Sequence, residues 1–195
     1  LMTKDGATLF EKVPRTVSFQ ASTSYGAGST GNPVYIDGVP VGLGSGGNTD
    51  ASGKIAGMVQ LRDDVATKMQ GQLDEIARGL IDLGLDAGDR VALLCTTRVE
   101  WSYADFGITC AGACVVPIYP TNSPEECAWV AGNSESRFIV CEDASQVAKI
   151  VAVRNQLPRL EAIVSIEPAE GALSLDELRA KGRARDAAEV AARVA

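Results

Sequence analysis

Residues 88–95 read GDRVALLC, in which a polar turn leads into an unbroken apolar run over positions 91–95. A run of this kind is typical of a strand that is buried on both faces of a parallel sheet. Three similar runs follow it along the chain, at residues 114–120, 137–141 and 162–166. We therefore predict four strands in the second half of the sequence.

The segments between these runs have the length and pattern of helices. Two of them cover residues 100–113 and 144–157. Another begins at the capping box of Ser123 and Glu126, and a last helical region begins at Ser174. Strands that alternate with helices of this length form parallel sheets with right-handed crossovers. Residues 84–195 are thus predicted to be α/β, an incomplete mainly parallel sheet with flanking helices.

The first 57 residues have a different pattern, rich in glycine and in short β-type runs. A strand is predicted within residues 9–20, and the Asp37-Gly38 pair predicts a hairpin between strands at 34–36 and 39–41. Pro40 lacks a backbone N–H, which restricts its strand to the edge of a sheet.

A long amphipathic helix is predicted over residues 58–83. Its apolar residues recur every three or four positions, at Met58, Leu61, Val65, Met69, Leu73, Ile76, Leu80 and Leu83. A single helix cannot bury such a stripe alone, so the helix requires a partner inside or outside the chain.

Composition also divides the chain near residue 80. All five cysteines lie after this point, whereas the glycines are concentrated before residue 58. We therefore predict three parts: a β/loop segment (1–57), the long helix (58–83) and the α/β region (84–195). The chain does not begin with Met, which suggests that it starts inside a longer protein.

Charge and composition exclude several classes of function. The net charge of −7 argues against nucleic acid as a partner, and the absence of His excludes Ser-His-Asp triads and His-ligated metals. No transmembrane segment or signal peptide is predicted. The odd number of cysteines, with no CxxC pair, favours reduced thiols and a cytoplasmic location.

Four local patterns could carry chemistry, and each has a structural alternative that we favour. Residues 42–47 match G-x-G-x-x-G but lack the strand-to-helix context of a nucleotide site. Cys110 and Cys114 lie four positions apart on a predicted helix, but two thiols are too few ligands for a metal site. The third pattern is the basic stretch of Arg179, Lys181, Arg183, Arg185 and Arg193, which is typical of a solvated helix face.

The fourth pattern is the pair Glu142 and Asp143. It follows a predicted strand at the edge where α/β sheets bind ligands. Among the adjacent carboxylate pairs of the sequence, it is therefore the pair that best fits a functional role. The aromatic residues Trp101, Tyr103 and Phe106 are interpreted as core and helix-packing residues rather than as a stacking platform for bases.

The second part of the chain, from about Ala77 onward, resembles a known enzyme family. The motifs are ARGL (77–80), LGL (83–85), GDRVAL (88–93), RVEW (98–101), AGA (111–113), VPIYPT (116–121) and SPEE (123–126). Their order and spacing are similar to the N-terminal part of AMP-forming long-chain acyl-CoA synthetases, which are adenylate-forming ligases. The resemblance implies formation of an acyl-adenylate from a fatty acid and ATP, followed by thioester formation with CoA.

The resemblance also implies that this chain lacks the family's active centre. The phosphate loop is expected after Val194-Ala195, and the motifs for adenine and ribose and the catalytic Lys are absent from the sequence. No catalytic, cofactor-binding or metal-binding residue is therefore carried over. ATP, Mg2+ and CoA are implied for the complete ligase and none for this chain, whose main implied partner is the missing remainder of the ligase domain.

Residues 1–81 resemble a second family, the flagellar hook-associated protein that joins hook to filament. The motifs are LMTKDG (1–6), GNPVYIDG (31–38), GKIAG (53–57), LRD (61–63) and GQLDEIA (71–77). This resemblance implies a structural role with flagellar hook and filament proteins as partners, in an exported structure.

Three hypotheses remain open at this point. The chain is an incomplete long-chain acyl-CoA ligase region without activity of its own, a structural module of a flagellar junction, or a chimera with no selected function. The third predicts poor folding cooperativity, because a truncated sheet would leave open edges and an uncovered apolar face.

Overall fold

The computed structural model describes residues 9–22, 29–41, 54–186 and 188. The chain divides into two compact units, Leu1–Gly71 and Gln72–Ala195. The strands are β1 (Val17–Phe19), β2 (Val34–Ile36), β3 (Val39–Val41), β4 (Arg90–Leu94), β5 (Cys114–Ile118), β6 (Phe138–Cys141), β7 (Ala162–Ser165) and β8 (Leu173–Ser174). The helices are α1 (Lys54–Gln60), α2 (Ala66–Asp82), α3 (Val99–Cys110), α4 (Pro124–Asn133), α5 (Ala144–Ala152) and α6 (Leu175–Arg183).

The first unit contains a three-stranded antiparallel sheet in the order β1-β2-β3. Asp37 and Gly38 both have positive φ, at 50° and 81°, which is the backbone of a two-residue hairpin turn. Pro40 lies on the edge strand β3, so both the hairpin and its edge are confirmed. Strand β1 (Val17–Phe19) lies within the predicted range 9–20, and Phe10 and Pro14 form only an isolated bridge before it.

The long helix is interrupted where the sequence predicted a continuous one. Leu61–Val65 forms a π-helical turn between α1 and α2, and such a turn admits one extra residue. Asp63 in this turn accepts a bond from the Gly31 backbone N–H at 3.1 Å. The predicted stripe is consequently divided, because Leu61 is exposed while Ile76 and Leu80 are buried.

The second unit is a three-layer α/β/α structure. All neighbouring strands are parallel, in the order β5-β4-β6-β7-β8. One core combines Leu93, Phe138 and Val140 with residues of α2, α3 and α6. The other combines Ala92, Leu94 and Ile139 with residues of α4 and α5. Strands β4 and β6 are therefore covered on both faces, and the predicted uncovered face was wrong because the flanking helices occupy both sides.

Helix boundaries in this unit follow local chemistry. The predicted capping box of Ser123 and Glu126 is present at α4, and the helix predicted to begin at Ser174 has a second one, formed by Ser174 and Glu177. The predicted helix over 100–113 ends earlier, at Cys110, and Gly112 with φ of 81° reverses the chain. The predicted helix over 144–157 ends at Ala152 and continues as a 3-10 turn, and strand β8 was missed because it has only two residues.

The cysteine and aromatic assignments need partial correction. Cys110 ends α3 while Cys114 begins β5, so the two residues do not share a helix. Cys114 is exposed, because it lies on the edge strand. Trp101 and Tyr103 pack against the core as predicted, whereas Phe106 is exposed on the outer side of its helix.

Among the described residues, no helix combines the length and the apolar character that crossing a membrane requires.

Candidate functional site

A polar cluster lies where three neighbouring strands end. Thr96 and Arg98 follow β4, Glu142 follows β6 and Glu167 follows β7. Parallel strands direct their carboxyl ends to one edge of the sheet, and ligands of open α/β sheets bind at that edge. The cluster is therefore the candidate site with the strongest structural argument.

Arg98 connects the three strand ends and the first turn of α3. Its Nη1 donates to Glu167 Oε1 at 2.9 Å and to Glu142 Oε1 at 3.4 Å. Its Nε donates to Glu100 Oε2 at 2.8 Å. One guanidinium is thus hydrogen-bonded to three carboxylates, so the cluster has an excess of negative charge.

Glu142 is the carboxylate that the fold holds most firmly. Its Oε2 accepts from the Thr96 backbone N–H and its Oε1 from the Thr96 hydroxyl, both at 2.8 Å. These bonds, with Arg98 beside them, lower the pKa of Glu142 below its ordinary value. A carboxylate of lowered pKa is a weak base near neutral pH, so Glu142 fits a structural role better than general-base catalysis.

Asp143, the other member of the predicted pair, has a different task. Its carboxylate accepts from the Gln146 backbone N–H at 3.0 Å and thereby caps α5. The Ser145 hydroxyl, which donates to the same carboxylate at 2.7 Å, and then the Gln146 N–H lower the pKa of Asp143. The two adjacent carboxylates therefore have separate partners instead of forming an acid–base pair.

Helix α5 also holds the loop that follows β5. Lys149 Nζ donates to the carbonyl oxygens of Pro120 at 2.7 Å and Asn122 at 3.0 Å. Gln146 reaches the same Pro120 carbonyl at the longer distance of 3.4 Å. The ammonium group of Lys149 is consequently engaged by the backbone rather than directed at a ligand.

We expect Glu142→Gln to lower the free energy of unfolding by about 1 kcal/mol at pH 7, because a charge-assisted contact becomes a neutral one. A carboxylate whose pKa is lowered by folding stabilises the protein above its unfolded pKa, and this contribution disappears as the pH falls through the lower folded value. The difference in free energy of unfolding between wild type and variant should therefore become smaller below about pH 4. Urea unfolding at several pH values measures it.

The exposed Glu135, which pairs with Arg90 at 3.2 Å, supplies the matched control. Glu135→Gln should change stability by less than about 0.5 kcal/mol. Equal effects of the two substitutions at pH 7 would show that the strand-end cluster is no more than an ordinary surface ion pair.

The cysteines near this edge are protected thiols. Burial raises the pKa of both Cys95 and Cys141 to about 12, and burial also raises the pKa of Cys127. Thiols of this kind remain protonated near neutral pH and are poor nucleophiles and poor metal ligands. Within the described ranges, no group of three His, Cys, Asp or Glu residues is arranged to hold a metal ion.

The cluster does not fit ATP. Phosphate groups bind where basic side chains or free backbone N–H groups converge. Here Arg98 is already shared among carboxylates, and the Thr96 N–H is bonded to Glu142. We therefore assign no nucleotide contact to these residues.

The basic residues near the end of the chain form ion pairs with α2. Arg179 and Arg183 donate to Glu75 at 2.9 and 3.1 Å, and Lys181 donates to Asp82 at 3.3 Å. These pairs attach α6 to α2. Arg193 and the glycine-rich motif at residues 42–47 lie outside the described residues.

Sequence reasoning identified Glu142 and Asp143 but missed Arg98 and Glu167 as members of the cluster. Arg98 is separated from Glu142 by 44 positions and from Glu167 by 69, so no local pattern connects them. The available signal was position, since Glu167 directly follows one predicted strand and Arg98 lies three residues after the end of another.

Comparisons with known proteins agree with this fold. The sequence profile of the family described as AMP-binding enzyme matches residues 67–193, ten residues earlier than the resemblance from Ala77 predicted. The long-chain-fatty-acid–CoA ligase FadD15 of Mycobacterium bovis is 37% identical over 133 residues, which are 68% of this chain and 22% of FadD15. The Xenopus laevis long-chain-fatty-acid–CoA ligase ACSBG2 is 42% identical over 105 residues, 54% of this chain and 13% of the relative.

A solved structure shows the same arrangement of elements. The anthranilate CoA ligase AuaEII, in complex with anthranoyl-AMP, aligns with a TM-score of 0.53 and 28% identity, over 57% of this chain and 21% of AuaEII. The chain thus spans about a fifth of the length of FadD15 and of AuaEII. With a family match that covers well over half of its residues, the chain belongs to the AMP-binding enzyme family.

Proposed function

We propose that this chain supplies part of the α/β framework of a long-chain fatty acid–CoA ligase. In the proposed reaction, a fatty acid carboxylate attacks ATP to give an acyl-adenylate and pyrophosphate. The CoA thiol then displaces AMP and forms the acyl-CoA thioester. ATP, Mg2+ and CoA would be bound by polypeptide other than the residues described here.

The observation that carries this proposal is that the charged side chains at the carboxyl edge of the sheet are paired with one another. Its guanidinium and carboxylates satisfy one another, through Arg98, Glu142 and Glu167. The family similarity indicates the reaction, while the satisfied cluster indicates a supporting role for this part of the fold. A cytoplasmic location is part of the same proposal.

A complementation assay tests this proposal. The full chain is coexpressed with Mycobacterium bovis FadD15 from which the 133-residue aligned stretch has been deleted. With ATP, Mg2+ and CoA supplied, we expect palmitate-dependent release of AMP from the purified mixture and none from the deleted FadD15 alone. Absence of the reaction in the mixture, or equal rates with and without the chain, would contradict the proposal.

For residues 1–81 we propose, as a second candidate, a structural role in a flagellar hook–filament junction, joined to the ligase part as a fusion. It is supported by the exposed apolar side chains of α1 and its π turn, Ile55, Met58 and Leu61, which offer a surface for another helix. Self-association, or binding to hook or filament protein, that is lost on deletion of residues 1–57 supports this role. A strictly monomeric, non-binding chain argues against it.

A further inference from the structure

The π turn between α1 and α2 changes the register of the helix. The Ala66 backbone N–H donates to the Leu61 carbonyl, five positions earlier, whereas an α-helix would pair it with the Arg62 carbonyl. Such a turn contains one residue more than an α-helical turn. Each residue of α1 therefore occupies the position that the next residue would take if the helix were unbroken.

Two neighbouring side chains of this turn are bonded to the segment that precedes β2. Asp63 accepts from the Gly31 backbone N–H at 3.1 Å, and Arg62 Nη1 donates to the Asn32 carbonyl at 3.1 Å. Arg62 and Asp63 also pair with each other, through Nε and Oδ1 at 2.6 Å and through Nη2 and Oδ2 at 2.8 Å. Because the Asp63 side chain is only 6% exposed, these contacts fix the turn against this segment.

The burial of Val59 favours the same register. Val59 is the buried residue of α1, whereas its neighbours Met58 and Gln60 are exposed. In an unbroken helix Gln60 would occupy the position of Val59, so an amide would replace an apolar side chain in a buried place. A buried amide without a hydrogen-bond partner costs free energy. The π turn thus places valine inside and glutamine in solvent.

We propose that α1 has two registers, and that Asp63 and Val59 select the observed π register over an unbroken α-helix. In the change between them, α1 rotates by about 100° and shifts by about 1.5 Å, the values for one residue of an α-helix. The change requires that the bonds of the turn to Gly31 and Asn32 open and that Val59 leave its position.

The register decides how the exposed apolar side chains of this helix are arranged. These are Ile55, Met58, Leu61, Val65 and Met69, which are between 38% and 59% exposed. Their spacing of three or four residues would place them on one face of an unbroken helix. The extra residue of the π turn divides this face, because it rotates Ile55 and Met58 away from Val65 and Met69. The π register thereby prevents the formation of one continuous apolar face, which would favour association.

Scalar couplings across hydrogen bonds, measured by NMR on the deuterated full chain, distinguish the two registers. In the wild type we expect the Ala66 nitrogen to couple to the Leu61 carbonyl carbon. In Asp63→Ala the coupling should move to the Arg62 carbonyl carbon. The matched control is Asp64→Ala, which removes the neighbouring carboxylate of the same turn. This carboxylate is 41% exposed, and its removal should leave the coupling at Leu61.

A second variant tests the role of Val59 without removing a charge. The double variant Val59→Gln, Gln60→Val keeps the composition and should also move the coupling to the Arg62 carbonyl, because valine then takes the buried position in the unbroken helix. A shift in either variant, with none in Asp64→Ala, supports two registers.

Four results would overturn the inference. One is a coupling of Ala66 to Arg62 in the wild type, and another is an unchanged coupling to Leu61 in both Asp63→Ala and the double variant. The third is an equal shift in Asp64→Ala, which would assign the change to the helix propensity of alanine. The fourth is the loss of both couplings in both variants, which would show that the helix has no second register.

Discussion

Leu93→Ala should destabilise the chain by about 2–5 kcal/mol, the range for truncation of a fully buried leucine. Leu93 is inaccessible to solvent at the centre of β4, with β5 on one side and β6 on the other. Its side chain belongs to the core that the sheet shares with α2, α3 and α6. The surrounding strands cannot close the resulting cavity without breaking their own register, so the cost should be large.

Urea unfolding measures this effect, with Val151→Ala as the matched control. Val151 is half-exposed on α5, and its truncation should change the free energy of unfolding by less than about 0.5 kcal/mol. Far-UV circular dichroism and tryptophan fluorescence should report one coincident transition, because both faces of the central strands are covered. A similarly small effect of Leu93→Ala would show that the sheet is not packed as described.

Gly182→Ala is expected to be the second large effect, a loss of about 1–3 kcal/mol through overpacking. A Cβ at this position would overlap the carbonyl oxygen of Glu75 and come within 2.9 Å of the Gly79 nitrogen. Both contacts are with the backbone of α2, which cannot move aside as a side chain could. The two helices would have to separate and weaken the bonds from Arg179 and Arg183 to Glu75.

Gly71→Ala, at a helical glycine of α2, is expected to have the opposite effect. A Cβ at Gly71 in α2 meets no atom within 4 Å, so alanine should stabilise the helix by about 0.5–1 kcal/mol. Thermal or urea unfolding of the two variants measures whether each substitution lowers or raises the free energy of unfolding. If Gly182→Ala is also stabilising, α6 does not cross α2 at these glycines.

The order of strands and helices in the second unit could be predicted from the sequence because it depends on local signals. The apolar run at 91–95 is interrupted by no polar residue, and the capping residues Ser123 and Ser174 stand where their helices begin. The Asp37-Gly38 turn is equally local, since only two residues must adopt positive φ.

The features that the sequence did not reveal depend on contacts between distant residues. The π turn at Leu61–Val65 coincides with a hydrogen bond from the Gly31 N–H to the Asp63 carboxylate, which the spacing of apolar residues cannot encode. The close crossing of Gly182 over α2 and the sharing of Arg98 among strand ends have the same origin. Phe106 was wrongly predicted to be a packing residue. An aromatic residue in a helical pattern favours burial, but the pattern does not show which element would cover it.

We expect these residues to form a framework that contributes no active centre of its own. Fatty-acid-dependent ATP–pyrophosphate exchange by the purified chain, assayed alone with palmitate and Mg2+, tests it most directly. We predict no exchange above the background without palmitate, because the charged groups at the strand ends satisfy one another. Palmitate-dependent exchange by the chain alone would contradict this account and would place a functional adenylation site within it.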